Sequence, residues 1–292
     1  MKVLVGMPAY NEEKNIGPLV LKLKESGYDV LVCDDASTDS TGLLAENLGA
    51  VVVKHSRNLG YGAAIQSIFS KARELKPDVL VTFDADGQHD YKDIKRLVEP
   101  ISAGKADIVI GSRFLEKKSD IPKYREIGIK TITQLTKTTH KVDVTDAQSG
   151  LRAYSRKAIE SIFPVEDSMG ISTEILIKAA EKNLTISEIS IIVSYEGITS
   201  THNPTSHGLT VVGTTLKFLS IKHPLLFYGI PGLFFLVVGL IFTVWTIANF
   251  TETRTIVTNL AIIAVGSIVL GVLLLLTGIM LFSIISVVRE RR

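Results

Sequence analysis

One cysteine, Cys33, is present in 292 residues. An intramolecular disulfide and any cysteine-based metal cluster are thereby excluded. Cys33 belongs to the apolar run Val30-Leu31-Val32-Cys33, where a free thiol is expected to pack as a small hydrophobe. An excess of one charge is also missing: 32 Lys and Arg against 30 Asp and Glu leave a net charge of +2. A nucleic-acid partner is not expected without a basic face. The amino terminus, "MKVLVGMPAYNEE", turns polar too soon for a secretory signal and reads directly as a strand. Internal repeats are lacking, and so is a complete dinucleotide fingerprint. In "RNLGYGAAI", Gly60 and Gly62 fill the first two glycine positions of G-x-G-x-x-G, but Ile65 stands at the third. A tight turn that opens a helix accounts for this segment.

One long stretch is almost without charge. From Pro224 to Val288 only Glu252 and Arg254 carry it, both within "NFTETRT". Leu225–Ala248 and Leu260–Val288 each exceed the roughly 20 apolar residues that cross a bilayer. Two membrane helices joined by a short polar loop are expected. Lys217, Lys222 and His223 precede the first, and Arg289, Arg291 and Arg292 follow the second. Both termini and the preceding domain should therefore be cytoplasmic at the cell membrane. Gly239, Gly266, Gly271 and Gly278 would permit close helix packing, a basis for homo-oligomers. The expected organisation is a catalytic domain over residues 1–207, a juxtamembrane segment over 208–223, and spans over 225–248 and 260–288.

The first 110 residues alternate strand and helix patterns. Strands are expected at Val3–Met7, Val30–Cys33, Val51–Val53, a fourth ending at Asp84, and Asp107–Ile110. Helices are expected at Asn15–Glu25, Thr41–Leu48, Gly62–Leu75 and Asp93–Ala103. This rhythm predicts an α/β domain with a Rossmann-like, mostly parallel sheet covered by helices on both faces. Polar clusters follow three strands: Pro8-Ala9-Tyr10-Asn11-Glu12-Glu13, Asp34-Asp35-Ala36-Ser37-Thr38-Asp39 and Asp84-Ala85-Asp86-Gly87-Gln88-His89. The carboxyl ends of parallel strands are where open α/β sheets hold ligands. Strand geometry continued through Asp84-x-Asp86 would send both carboxylates to one side. Two such charges need a cation or a proton. Asp84, Asp86 and Gln88 offer hard oxygen donors suited to Mg²⁺ or Mn²⁺. Asp34 or Asp35 could accept hydrogen bonds from a ribose or base. His89 stands beside this set without an assigned role.

Taken in order, "MPAYNEE", "CDDASTDST", "NLGYGAAI", "FDADGQH", "GSRF" and "DAQSGLRAYSR" resemble family 2 glycosyltransferases with the GT-A fold. The resemblance extends over about residues 1–200 and is nearer to the dolichyl- or polyprenyl-phosphate hexose synthase branch, in which a carboxyl-terminal two-span hairpin also occurs. It implies metal-dependent, inverting transfer of a hexose from a nucleotide-sugar to a lipid phosphate, without a covalent enzyme intermediate. GDP-mannose, UDP-glucose and UDP-N-acetylglucosamine all fit as donors. By the same resemblance, Pro8, Tyr10 and Glu12 line the nucleotide pocket, Asp34 and Asp35 fix base and ribose, and Asp84, Asp86 and Gln88 form the metal and diphosphate site. Gln148 and Ser149 belong to a segment that closes over the sugar, and Asp146 serves sugar recognition or proton acceptance. A lipid phosphate needs cations, for which Arg113, Arg125, Lys130 and Arg152 are the candidates. Arg113 is also a catalytic candidate. The stretch "KYREIGIKTITQLTK" has the spacing of an amphipathic surface helix, and "YEGITSTHNPTSHG", with His202 and His207, suits a lid.

Other readings carry less. Processive polysaccharide synthases resemble longer chains with a Q-x-x-R-W motif, whereas the one tryptophan here, Trp245, follows Phe242-Thr243-Val244. A tethered transferase with a non-lipid acceptor, or a non-catalytic nucleotide-sugar binder, would retain the same motifs.

Overall fold

The computed structural model describes residues 1–116, 129–130, 133, 143–192, 220 and 224–290. The chain divides into two units, Met1–Thr215 and Leu216–Arg292. In the first, β1 (Val3–Ala9), α1 (Glu13–Glu25), β2 (Asp29–Asp34), α2 (Thr41–Asn47), β3 (Val51–Lys54), α3 (Tyr61–Leu75), β4 (Val79–Thr82), α4 (Asp93–Ser102) and β5 (Ile108–Ser112) alternate. Then come β6 (Arg152–Ser155), α5 (Arg156–Ser161), α6 (Ile171–Glu181) and β7 (Ile186–Ser190). The first nine elements fall within two residues of their expected limits. The sheet order is β3-β2-β1-β4-β6-β5-β7. All pairs are parallel except those of β6, which runs antiparallel to β4 and β5.

The strands are apolar on both faces because each face carries its own core. On one side Leu4, Leu31, Cys33, Leu80, Ile108 and Ile110 pack with α3, α5 and α6. On the other, Val5, Met7, Val30, Val32, Val79, Val81 and Val109 pack with α1 and α4. Side chains alternate along a strand, so consecutive residues feed opposite cores. Cys33 is fully buried, and burial raises its thiol to about 12. Helix α3 enters close against residues 166–168, since a Cβ on Gly62 would collide with backbone atoms of Glu166, Asp167 and Ser168.

From β1 the chain moves outward to β2 and β3, then returns to the other side of β1 as β4. The β1–β4 gap is therefore a topological switch point, with a crevice at its carboxyl edge. The loops after β1 and β2 are sewn together there. Asn11 donates its N–H to Ser37 Oγ (3.0 Å), Glu12 to Thr41 Oγ1 (2.8 Å) and Glu13 to Asp39 Oδ2 (3.2 Å). Asn11 Oδ1 accepts from Thr38 N–H at 2.8 Å. Asn11 and Ala36 take positive φ (57° and 60°) to make these contacts, a backbone conformation that side chains other than glycine resist.

The second unit contains α7 (Pro224–Thr253) and α8 (Thr258–Glu290). Both are long and apolar enough to cross a membrane, with mean hydropathies of 2.4 and 2.8. Helix runs through most of "NFTETRT", so the connection is tighter than the polar composition suggests. The glycines bring the two helices together within this hairpin. A Cβ on Gly239 would meet Ile268 and the Ala264 carbonyl; one on Gly271 would meet Leu236 and the Gly232 carbonyl, and one on Gly278 the Pro224 carbonyl. Gly266 has open space beside it. The close packing expected of these residues is thus satisfied within one chain at three of the four positions. The juxtamembrane segment and Lys217, Lys222, His223, Arg291 and Arg292 lie outside the described residues.

Because backbone atoms cannot yield as side chains do, Gly62→Ala is expected to destabilise the soluble unit by about 1–3 kcal/mol. Thermal melting of the purified full-length variant checks this.

Candidate active site

Strand β4 ends at Thr82, two residues before Asp84, so strand alternation does not align the two carboxylates. A turn does. Phe83 still donates its N–H to the Gly6 carbonyl (3.0 Å), and Ala85 is buried. Gly87 takes φ +76°, which lets Gln88 N–H reach back to Asp86 Oδ1 at 3.0 Å. Asp84 is held from two sides. Tyr61, at the start of α3, donates its hydroxyl to Asp84 Oδ1 (3.2 Å). Gly150 leaves the room, since a Cβ there would collide with Asp84 Oδ1 and Oδ2. Thr82 Oγ1 donates to the Gly150 carbonyl (2.7 Å) and ties this backbone to β4. Burial pushes the Tyr61 phenol well above its ordinary range, and the Asp84 charge adds to it. That hydroxyl stays a donor.

The electrostatics fit a cation. Burial, followed by repulsion from Asp84 and a smaller contribution from Glu12, raises Asp86 from 3.8 to about 6, although the Gln88 N–H and His89 oppose the rise. Glu12 is itself raised, chiefly by desolvation, although Asn15 donates to its Oε2 at 2.9 Å. Acidic groups from β1 and β4 thus face one crevice with little water to separate them. His89 lies beside Asp84, with Nε2 3.7 Å from Oδ2, and its buried Nδ1 finds no hydrogen-bond partner. Hard oxygens under mutual repulsion, next to an unsatisfied imidazole, are the donor set that Mg²⁺ or Mn²⁺ would relieve. Pro8 is half-buried and Tyr10 is exposed at the same edge.

Asp34 and Asp35 do not present themselves as base or ribose acceptors. Both are buried. Asp34 Oδ1 accepts from Ser37 N–H (2.8 Å), while Asp35 accepts from Leu59 and Gly60 N–H (both 2.8 Å) and pairs with His55 Nδ1 at 2.6 Å. Their carboxylates hold the loops of the crevice in place rather than lining it.

A second cluster forms after β5. Arg113 grips Asp146 in a bidentate pair, Nε to Oδ2 at 2.6 Å and Nη2 to Oδ1 at 2.8 Å. Asp146 is fully buried, and its Oδ1 also accepts from Gln148 N–H at 3.2 Å. Asp146, read from the sequence for sugar recognition or proton acceptance, has both carboxylate oxygens engaged by Arg113. Glu188, on β7, in turn accepts from Thr145 and Asp146 N–H (2.8 and 3.1 Å) and fixes the loop. The Arg113 side chain is 15% exposed and lies over Phe114 at 5.8 Å. Lys130 Nζ approaches the same ring at 5.7 Å, so two cations gather on one aromatic side chain.

Two other sequence candidates are structural. Ser149 is buried, with Oγ turned to the Leu151 carbonyl. Arg152 is 1% exposed and donates Nε, Nη1 and Nη2 to the carbonyls of Ser149, Ser172 and Ala147, each at 2.8 Å. Its fork shapes the 147–149 turn and leaves no surface for a phosphate. Gln148 donates to Thr173 Oγ1 at 2.9 Å. Arg125, His202 and His207 lie outside the described residues, as does most of the stretch read as an amphipathic helix; Ile129, Lys130 and Thr133 of it are helical. Glu188, Thr82 and Tyr61 were not singled out from the sequence. Only Tyr61 carried a signal, inside the Gly60–Gly62 turn.

Residues 4–163 match glycosyl transferase family 2. The chain belongs to that family. A UDP-N-acetylglucosamine–dolichyl-phosphate N-acetylglucosaminyltransferase of Methanococcus voltae is 34% identical to it, over 65% of this chain and 84% of that protein. A dolichyl-phosphate hexose transferase of Haloferax volcanii is 31% identical, over 64% and 80%. Among solved structures, glucosyl-3-phosphoglycerate synthase from Mycobacterium tuberculosis, with Mn²⁺, UDP-glucose and phosphoglyceric acid, superposes with a TM-score of 0.60. It is 22% identical over 75% of this chain and 80% of that one. The likeness establishes the GT-A fold.

An acid whose folded value lies above its unfolded one weakens the fold once ionised. For Asp86 this penalty is absent below about pH 4, grows to about pH 6 and is full above it. Asp86→Asn, which keeps the acceptor for Gln88 N–H, is expected to stabilise the EDTA-stripped protein by about 1–2 kcal/mol at pH 7.5. The gain should vanish at pH 4, measured by denaturant titration. Arg152→Met is expected to lose about 3–5 kcal/mol through three orphaned carbonyls. Wild-type melting with selective loss of acceptor binding would return Arg152 to the acceptor site.

Proposed function

We propose that this chain transfers a hexose from a nucleotide-diphosphate sugar to dolichyl or polyprenyl phosphate, with inversion and without a covalent enzyme intermediate. The observation that carries this reading is the Asp84–Asp86 pair, with Asp86 largely buried, at the switch point of a family 2 domain that is followed by two membrane-length helices. The names of the Methanococcus and Haloferax relatives support a lipid phosphate acceptor, and Mn²⁺ in the solved neighbour supports a divalent cation.

Pro8, Tyr10 and Glu12 line the nucleotide side of the crevice. Asp84, Asp86 and Gln88 would hold Mg²⁺ or Mn²⁺, which supplies Lewis-acid charge for the departing diphosphate. An acceptor phosphate, with a second pKa of about 6, is largely ionised at neutral pH. It attacks the anomeric carbon directly, and the C–O bond to the diphosphate breaks with its electron pair leaving on the nucleotide. A general base is unnecessary, so orientation and charge dominate. Arg113, locked by Asp146, holds the acceptor phosphate, with Lys130 and Arg125 as further cations. Gln148 contributes to the sugar side. The domain and both termini face the cytoplasm, and the helices anchor the chain in the cell membrane beside its lipid substrate.

Transfer from radiolabelled GDP-mannose, UDP-glucose and UDP-N-acetylglucosamine to a short polyprenyl phosphate tests the reading, with Mn²⁺, Mg²⁺ or EDTA present. Labelled lipid from one donor, lost with EDTA, is expected. Arg113→Ala should lower kcat/KM by about 100-fold or more. Donor binding with transfer only to a soluble acceptor, or with no transfer, would overturn it.

A further inference from the structure

We propose that His89 is a nitrogen ligand of the divalent cation and sets a preference for Mn²⁺ over Mg²⁺. The inference rests on the proposed metal site and extends it beyond the oxygen donors. An ordinary core histidine satisfies its ring nitrogens, because a buried polar atom without a partner is costly. His89 does not. Its side chain is 8% exposed, Nδ1 has no partner, and Nε2 stands 3.7 Å from Asp84 Oδ2. That distance is too long for a hydrogen bond. Cis donors on an octahedral cation with bonds of about 2.1 Å stand about 3.0 Å apart, so the two atoms need to close by about 0.7 Å to share one.

The ring is also oriented. Phe83 packs edge-on against it, with centroids 5.9 Å apart and planes at 66°. Phe83 is itself fully buried at the end of β4. His89 is thus held on the Asp84 side of the turn by packing and by Nε2 at ion-pair distance from Asp84, while its buried Nδ1 has no partner. Asp84 Oδ1 is occupied by Tyr61, which leaves Oδ2 as the oxygen toward the imidazole. Among the described residues, no three His, Cys, Asp or Glu side chains are already spaced to hold an ion, so binding closes the donors around it. An imidazole nitrogen suits a transition metal, whereas Mg²⁺ takes oxygen ligands.

Pulsed electron paramagnetic resonance of Mn²⁺ added to the full-length protein in detergent, with UDP or GDP, tests this without reference to turnover. Wild-type protein should show nitrogen modulation from one coordinated imidazole. It should be lost in H89Q and retained in H202Q and H207Q. Direct titration of H89Q should show Mn²⁺ binding weakened about tenfold, with Mg²⁺ binding changed less than about twofold. Bound Mn²⁺ without nitrogen modulation in the wild type overturns the proposal and leaves the oxygen site intact. So does modulation that disappears in H202Q or H207Q instead. A wild-type protein that binds no Mn²⁺ with either nucleotide removes the metal site, and this inference with it. Should H89Q fail to fold, the wild-type spectrum and H89N decide by the same criteria.

Discussion

Asp86 is largely buried beside the charge of Asp84, which repels it, and the surrounding structure is arranged to keep the two together. Tyr61 donates to one oxygen of Asp84, Gly150 makes space for both, and Thr82 clamps the Gly150 carbonyl to the end of β4. The Gly87 turn returns a backbone N–H to Asp86. None of these contacts neutralises the pair. Burying Asp86 beside the charge of Asp84 costs electrostatic free energy that a divalent cation, where the proposed site holds one, would release.

The other half of the site is built in the opposite sense. Arg113 and Asp146 are fully matched, in a two-pronged geometry that favours guanidinium over ammonium. The Asp146 carboxylate accepts from the Gln148 and Arg113 N–H groups, while Glu188, on the far edge strand, accepts the N–H of Asp146 itself. A cation held this firmly would lose little freedom on meeting the proposed anionic acceptor, which is the condition for charge stabilisation without reorganisation. Phe114, shared by Arg113 and Lys130, shields one side of that charge from water.

The membrane hairpin solves a separate problem. Its helices carry almost no charge and meet through Gly232, Gly239 and Gly271, where small residues let backbones approach. A polyprenyl phosphate resides in the bilayer, so an anchor confines the soluble unit to the surface where its proposed acceptor is found.

The sequence by itself determined the first nine elements, the mostly parallel sheet, the two membrane-length helices and the location of the acidic turn. Periodicity and long apolar runs report burial, and burial is what the chain must satisfy first. What tertiary structure decided is which polar atoms face the crevice and which face the protein. Asp34, Asp35, Asp146, Ser149 and Arg152 stand within the family motifs yet turn inward, since buried N–H and C=O groups in the connections claim them first. Antiparallel β6 and Glu188 on β7 could not be read locally, because their partners lie far away in sequence. Hydrophobic pattern is a local property of the chain, whereas the pairing of a carboxylate or guanidinium depends on neighbours that only the folded topology brings within reach.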